Sequence, residues 1–169
     1  MDKVIKITVS LIVAISTFIM SAEAQVSTYS ELFRTLKSKD SLLFDVAFNT
    51  CNTQVLESLI AEDLEFYHDQ GGITNSKSKF MDVMKNGICN PDNPTTSRRE
   101  LVAGSLEVFP LYENGKLYGA LQNGSHRFFE KLGDNPETKG SIAKFSHLWI
   151  KENGNWLVKR VISYDHKSQ

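Results

Sequence analysis

Four histidines, His68, His126, His147 and His166, are the side chains in this 169-residue sequence best suited to chemistry near neutral pH, because imidazole titrates there without help. Each falls in a stretch that alternates apolar and polar residues. His68 alternates with Leu64 and Phe66, and His126 with Tyr118, Ala120 and Phe128. His147 alternates with Phe145 and Trp149, and His166 with Trp156, Val158, Ile162 and Tyr164. All four share the apolar, aromatic parity of their strands, which is what convergence on one interior cavity requires. A bulge in a long strand would reverse every assignment beyond it.

The chemistry such a cavity could host is general acid or base catalysis by one imidazole, oriented by a carboxylate such as Asp69 or Asp165. The alternative is that the imidazoles are partly buried sheet residues bonded to their neighbours. Alternation puts His68 and Asp69 on opposite faces of the segment Asp63 to Gly72, so the expected partners of His68 are distant: Trp149, Tyr164 and His166. Phe66, Tyr67, Asp69, Trp149, Arg160 and Tyr164 complete the candidate pocket. Arg160 shares the parity of Val158 and Ile162, so it pairs with an inward acid such as Glu107, binds an anionic ligand, or marks a misassigned strand. Three imidazoles and a carboxylate would satisfy zinc, but no two histidines stand at local ligand spacing, and no metal site is expected. No phosphate loop, dinucleotide fingerprint, Gly-x-Ser-x-Gly elbow or Cys-x-x-Cys pair occurs, and no cofactor is expected.

Three helices and then long strands must position these residues. Thr28 to Glu31 has the form of a capping box, followed by a helix, kinked or broken at Lys37 to Asp40, that reaches Asn49. Asn52 or Thr53 caps a second helix ending near Asp63, and Ser76 caps a third that stops at Asn86-Gly87. The second half reads as four runs: 97–111, 116–131, 141–150 and 156–166. Asn114-Gly115 and Asn153-Gly154 join them in pairs, the strongest short signal for a hairpin. Helices followed by an antiparallel sheet make an α+β domain: three N-terminal helices on a curved, mainly antiparallel sheet. A sheet of strands this long must curl, and when backed by helices it forms a cone around an internal pocket.

Lys3 and Lys6 precede the apolar run Ile7 to Met20, and Ala22-Glu23-Ala24 is a small-x-small cleavage site, the pattern of a secretory signal peptide over residues 1–24. The run is shorter than the roughly 20 residues a spanning helix needs, so no stable membrane span is expected after cleavage. Residues 25–169 then form a single secreted or periplasmic domain. The leader removes two of the 19 basic and two of the 20 acidic residues, so the net charge stays at −1. No basic patch exists beyond Arg98-Arg99, which argues against a nucleic-acid partner. Cys51 and Cys89 both remain in an oxidising compartment, where a disulfide is the default and a reactive thiol the alternative. Closing residues 52 to 88 in a loop would contribute roughly 3 to 4 kcal/mol.

The order helix, helix, short strand, helix, long strands resembles the nuclear-transport-factor-2-like (SnoaL-like, cystatin-like cone) superfamily. The segments EDLEFYHDQGG and HLWIKENGNWLVKRVISYDH are similar to its secreted bacterial members of unknown function. The resemblance runs from about Thr28 to His166 and implies a cone in which histidine and aspartate can do acid–base chemistry. That superfamily also includes association domains, so two functions stand side by side. One is a small-molecule-binding domain, possible lyase- or isomerase-like activity included. The other is a non-catalytic association or binding module, dimerising through the outer sheet face, where Val102, Leu106, Leu117 and Leu121 would need covering.

Overall fold

The computed structural model describes residues 24–169; the expected signal peptide lies, but for Ala24, outside the described residues. The chain is α+β, with three helical segments against a large mixed sheet. Helix α1 (Glu31–Ser41) runs without a break into a π-helical stretch, Leu42–Phe48. Its cap is Ser30 rather than Thr28: the Ser30 hydroxyl accepts from the Phe33 amide at 3.1 Å. Helix α2 (Thr53–Ser58) is capped by the Asn52 side chain, and α3 (Lys77–Val83) by Ser76, followed by a π-helical stretch, Met84–Ile88.

Seven strands follow the order β1 (Ile60–His68), β2 (Gly72–Thr74), β3 (Thr95–Leu101), β4 (Glu107–Glu113), β5 (Lys116–Leu132), β6 (Thr138–Glu152) and β7 (Asn155–Ser168). Across the sheet they lie as β2-β1-β7-β6-β5-β3, and β4 pairs with the first half of β5. Every pairing is antiparallel except β1 with β7, which are parallel. Asn114 and Asn153 both have positive φ (49° and 48°), as do the glycines that follow them (78° and 82°), the type I′ geometry that Asn-Gly supplies at little strain.

The run 97–111 is two strands rather than one. Gly104, at φ 76°, turns the chain between β3 and β4, so β3 pairs with the second half of β5 and β4 with the first. This turn also corrects the expected outer apolar face. Leu106 is in the core, and Leu117 packs against it; of that set, Leu121 is the exposed member.

The core fills the space between the helices and the concave face, with Leu36, Ala47, Leu56, Leu64, Val108, Phe145, Trp149 and Val158 almost wholly enclosed. Gln122 stitches the layers together. Its amide nitrogen donates to the Leu36 carbonyl at 3.0 Å, and its oxygen accepts from the Trp149 indole at 2.8 Å. A buried amide and a buried indole are thereby both satisfied. Cys51 and Cys89 are joined by a disulfide with Cα atoms 5.4 Å apart, tying the chain before α2 to the end of the π-helical stretch after α3.

Candidate active site

A cavity of about 340 Å³ lies between the helices and the sheet. Its helical wall is Leu43, Phe44, Phe48, Leu56, Phe80 and Met84, and its sheet wall includes Leu64, Phe66, Phe128, Val158 and Val161. All four histidines line it: His68 from β1, His126 from β5, His147 from β6 and His166 from β7. This volume, apolar with a few polar groups, falls within the roughly 300–1,000 Å³ range of small-molecule pockets.

Two of the imidazoles sit deep. His126 is 3 % and His147 1 % exposed, packed among Phe44, Phe128 and Phe145. Beside them lies an ion pair the sequence did not announce. Arg99 grips Asp40 with both terminal nitrogens at 2.7 and 3.0 Å, lies 3.9 Å above the Phe44 ring, and points Nε at His126 Nδ1, 3.4 Å away. Burial pushes the His126 imidazole down to about 3, helped by the Arg99 charge, and holds His147 well below the usual range for the same two reasons. Both are therefore neutral at pH 7. Burial raises the Asp40 carboxyl above the ordinary aspartate value while Arg99 pulls the other way. His126 Nε2 and His147 Nδ1 find no hydrogen-bond partner among the described residues.

The other two imidazoles stack near the mouth, ring centroids 4.3 Å apart and planes within 17°. Their hydrogen bonds give them opposite proton inventories. His68 Nδ1 accepts from the Gln70 and Gly71 amides at 3.1 and 3.0 Å, so that nitrogen carries no proton and the neutral ring holds its proton on Nε2. Burial, then the neighbouring His166, lower the His68 pKa against the pull of Asp69. His166 is the reverse. Its Nδ1 lies 2.5 Å from Asp69 Oδ1 and its backbone amide 3.2 Å from Oδ2. A carboxylate only accepts, so Nδ1 bears the proton and Nε2 presents a lone pair. Burial would raise the Asp69 carboxyl, but these bonds from His166 outweigh it and leave it lowered. The Nε2 lone pair meets the hydroxyl of Ser163, 3.3 Å away.

His166 faces inward because of two bulges. One lies at Lys159, where Val158 opposes Trp149 but Arg160 opposes Leu148; the second lies at Asp165, whose φ of 61° is left-handed. The first swings Arg160, Ile162 and Tyr164 outward and Val161 and Ser163 inward, and the second restores His166 to the cavity. Simple alternation thus places His166 correctly only because the two reversals cancel.

The remaining expected pocket residues divide on the same grounds. Phe66 lines the cavity. Trp149 is buried beneath it, edge-on to His147 and bonded to Gln122. Arg160 is outside, paired with Glu65 at 2.8 Å and donating to the Asp63 carbonyl. Tyr67 and Tyr164 face an outer depression. Asp69 stands just past the end of β1, where the turn frees it from alternation and lets it reach His166, while Asp165 lies outside between Lys144 and Lys167. Tyr118 is exposed rather than level with His126. Of the expected partners of His68, His166 alone touches it as a ring. Arg99, Asp40 and Ser163 are not among the residues the sequence marks for the site, although adjacent arginines on a strand must face opposite ways and one of Arg98 and Arg99 has to point inward.

His68, Asp69 and His166 bring donor atoms within 4.8 Å of one another. Stacked rings turn faces rather than lone pairs toward each other, and His68 Nδ1 already accepts two amides.

Known structures place this architecture. ActVI-ORFA from Streptomyces coelicolor superposes with a TM-score of 0.64 at 12 % identity, over 82 % of this chain and 98 % of that one. A nuclear transport factor 2-like superfamily protein from Salmonella enterica gives 0.59 at 14 %, over 78 % and 88 %, respectively. The fold is the nuclear-transport-factor-2-like cone. A protein of unknown function with a cystatin-like fold from Nostoc punctiforme matches at 0.57 and 11 %, over 79 % and 91 %. No family model and no curated protein matches the sequence. At these identities the likeness concerns the cone itself.

Proposed function

We propose that this chain is an exported cone domain that binds a small, mainly apolar molecule and moves a proton on it, in the manner of a lyase or isomerase. The observation that carries this reading is the stacked pair at the mouth. His166, held by Asp69, offers a lone pair, and His68, held by two amides, offers an N–H, both into an apolar cavity. A base and a hydrogen-bond donor side by side suit removal of a proton next to a carbonyl whose oxygen the donor steadies. Neither ring has to change tautomer first.

The test is exchange of α-protons for deuterium in a panel of small neutral ketones, followed by proton NMR. Exchange above the buffer rate should fall about 100-fold or more in His166→Ala, the scale of a lost general base. A panel that exchanges no faster with protein than with buffer would sink the catalytic part. A second reading, a homodimerising module, draws on the outer row Ile73, Tyr67 and Ile162, register partners on β2, β1 and β7 that are all exposed. Sedimentation of a monomer at high protein concentration would count against it.

A further inference from the structure

The lone pair of His166 is not idle in the absence of a bound molecule: the group that already meets it is Ser163. Three side chains stand in line, Ser163 Oγ to His166 Nε2 at 3.3 Å and His166 Nδ1 to Asp69 Oδ1 at 2.5 Å. A nucleophile within reach of a base, itself oriented by a third group, is the general signature of an activated hydroxyl. Ser163 is only 5 % exposed and is among the residues that line the cavity.

We propose that Ser163 is a nucleophile, with His166 as its base and Asp69 as the group that fixes the base, and that the cavity accepts small esters with an apolar acyl group. This rests on the cavity and the Asp69–His166 couple of the preceding reading but adds a different reaction.

Two further observations make the line of three a site. The first is a hydrogen-bond donor on the neighbouring strand that the oxyanion could use. His68 is the register partner of Ser163 across the parallel β1–β7 pairing, lines the same cavity, and has its Nδ1 occupied by two amides, which leaves Nε2–H to donate. The second is the backbone. Asp165 takes a left-handed conformation that non-glycine residues rarely adopt, and that bulge brings His166 to the same face as Ser163, three residues away. In an unbulged strand residues 163 and 166 would face opposite sides.

The reaction balances with water alone. Ser163 Oγ bonds to the ester carbonyl carbon while its proton passes to His166 Nε2, and the carbonyl oxygen, now negative, is held by His68 Nε2–H. Collapse breaks the carbon–alkoxy bond, and the leaving oxygen takes the proton from His166. Water then gives a proton to His166 and attacks the acyl carbon. The acid leaves, and Ser163 recovers its proton.

The experiment treats the purified protein with a fluorophosphonate reagent and maps the adduct by mass spectrometry, with 4-nitrophenyl butyrate hydrolysis as the kinetic readout. One phosphonyl group per chain is expected, on Ser163, with a burst of 4-nitrophenol. Ser163→Ala should abolish the adduct, and His166→Ala should slow labelling about 100-fold or more. Binding of a neutral apolar dye reports separately on whether each variant keeps its cavity. Dye binding with no adduct, or an adduct on another residue, overturns the nucleophile and leaves the cavity reading standing. Loss of both dye binding and adduct in the unmodified protein overturns the two together.

Discussion

The four imidazoles share one cavity but not one task, and the difference comes from what each ring nitrogen meets. His68 and His166 have their protons placed by amides and a carboxylate, whereas His126 and His147 are enclosed by aromatic rings beside a charged arginine. The deep pair has a thermodynamic consequence. Their folded pKa values lie below the ordinary histidine value, to about 3 for His126, so between that value and about 6.5 the unfolded chain binds protons that the folded chain does not. Their contribution is complete above pH 6.5 and is lost as the pH falls. For His126 this removes roughly 1.4 kcal/mol per pH unit, or about 2 kcal/mol at pH 5, and His147 acts in the same direction. Urea unfolding at pH 7.5 and pH 5 should show His147→Phe losing less stability on acidification than the unmodified protein. Equal losses in the two proteins would mean that His147 is not held neutral by burial. At this scale the sequence revealed the histidines, because their type and parity are local properties. It hid Asp40 and Arg99, whose pairing joins residues 59 apart across the helix–sheet interface.

Elements were legible where turn chemistry is local and obscure where a strand departs from its own period. The two Asn-Gly hairpins, the Ser76 cap and the order of helices and strands follow from signals a few residues long. The bulge at Lys159 leaves no such mark, and the one at Asp165 only a weak one, since aspartate tolerates a left-handed φ but occurs at many positions without it. Hence simple alternation puts Arg160 and Tyr164 inside, whereas both face outward. The Asp165 bulge carries its own test. A β-branched residue tolerates φ near 61° poorly, so Asp165→Val should lower stability by roughly 1–2 kcal/mol and turn His166 away from the cavity. Asn adopts that region more readily, so Asp165→Asn should keep both. Thermal melts combined with the α-proton exchange assay separate the cases. If Asp165→Val leaves melting temperature and exchange as they were, the bulge does not position His166.

At the scale of the whole molecule, the cavity exists because two helical segments form its roof over a curled sheet, and the disulfide joins those segments. Phe44 and Phe48 belong to the stretch just before Cys51, while Phe80 and Met84 belong to the segment that ends at Cys89. The aromatic roof is thus held from both sides of one covalent link. Cys51 itself has a φ of 56°, so the chain makes its turn into α2 at the point of attachment. With a sequence separation of 38, the chain-entropy model assigns the bridge about 3–4 kcal/mol, acting chiefly on the unfolded chain. For a domain of this size that corresponds to a fall of about 10 °C in melting temperature on reduction or in Cys51→Ala/Cys89→Ala. Because the roof also packs through Leu43, Leu56, Met81 and Met84, which are buried without help from the sulfurs, the reduced protein should still bind a neutral apolar dye well below its melting temperature. Loss of dye binding with little change in melting would reverse that division, making the bridge a strut of the cavity rather than a restraint on the unfolded chain.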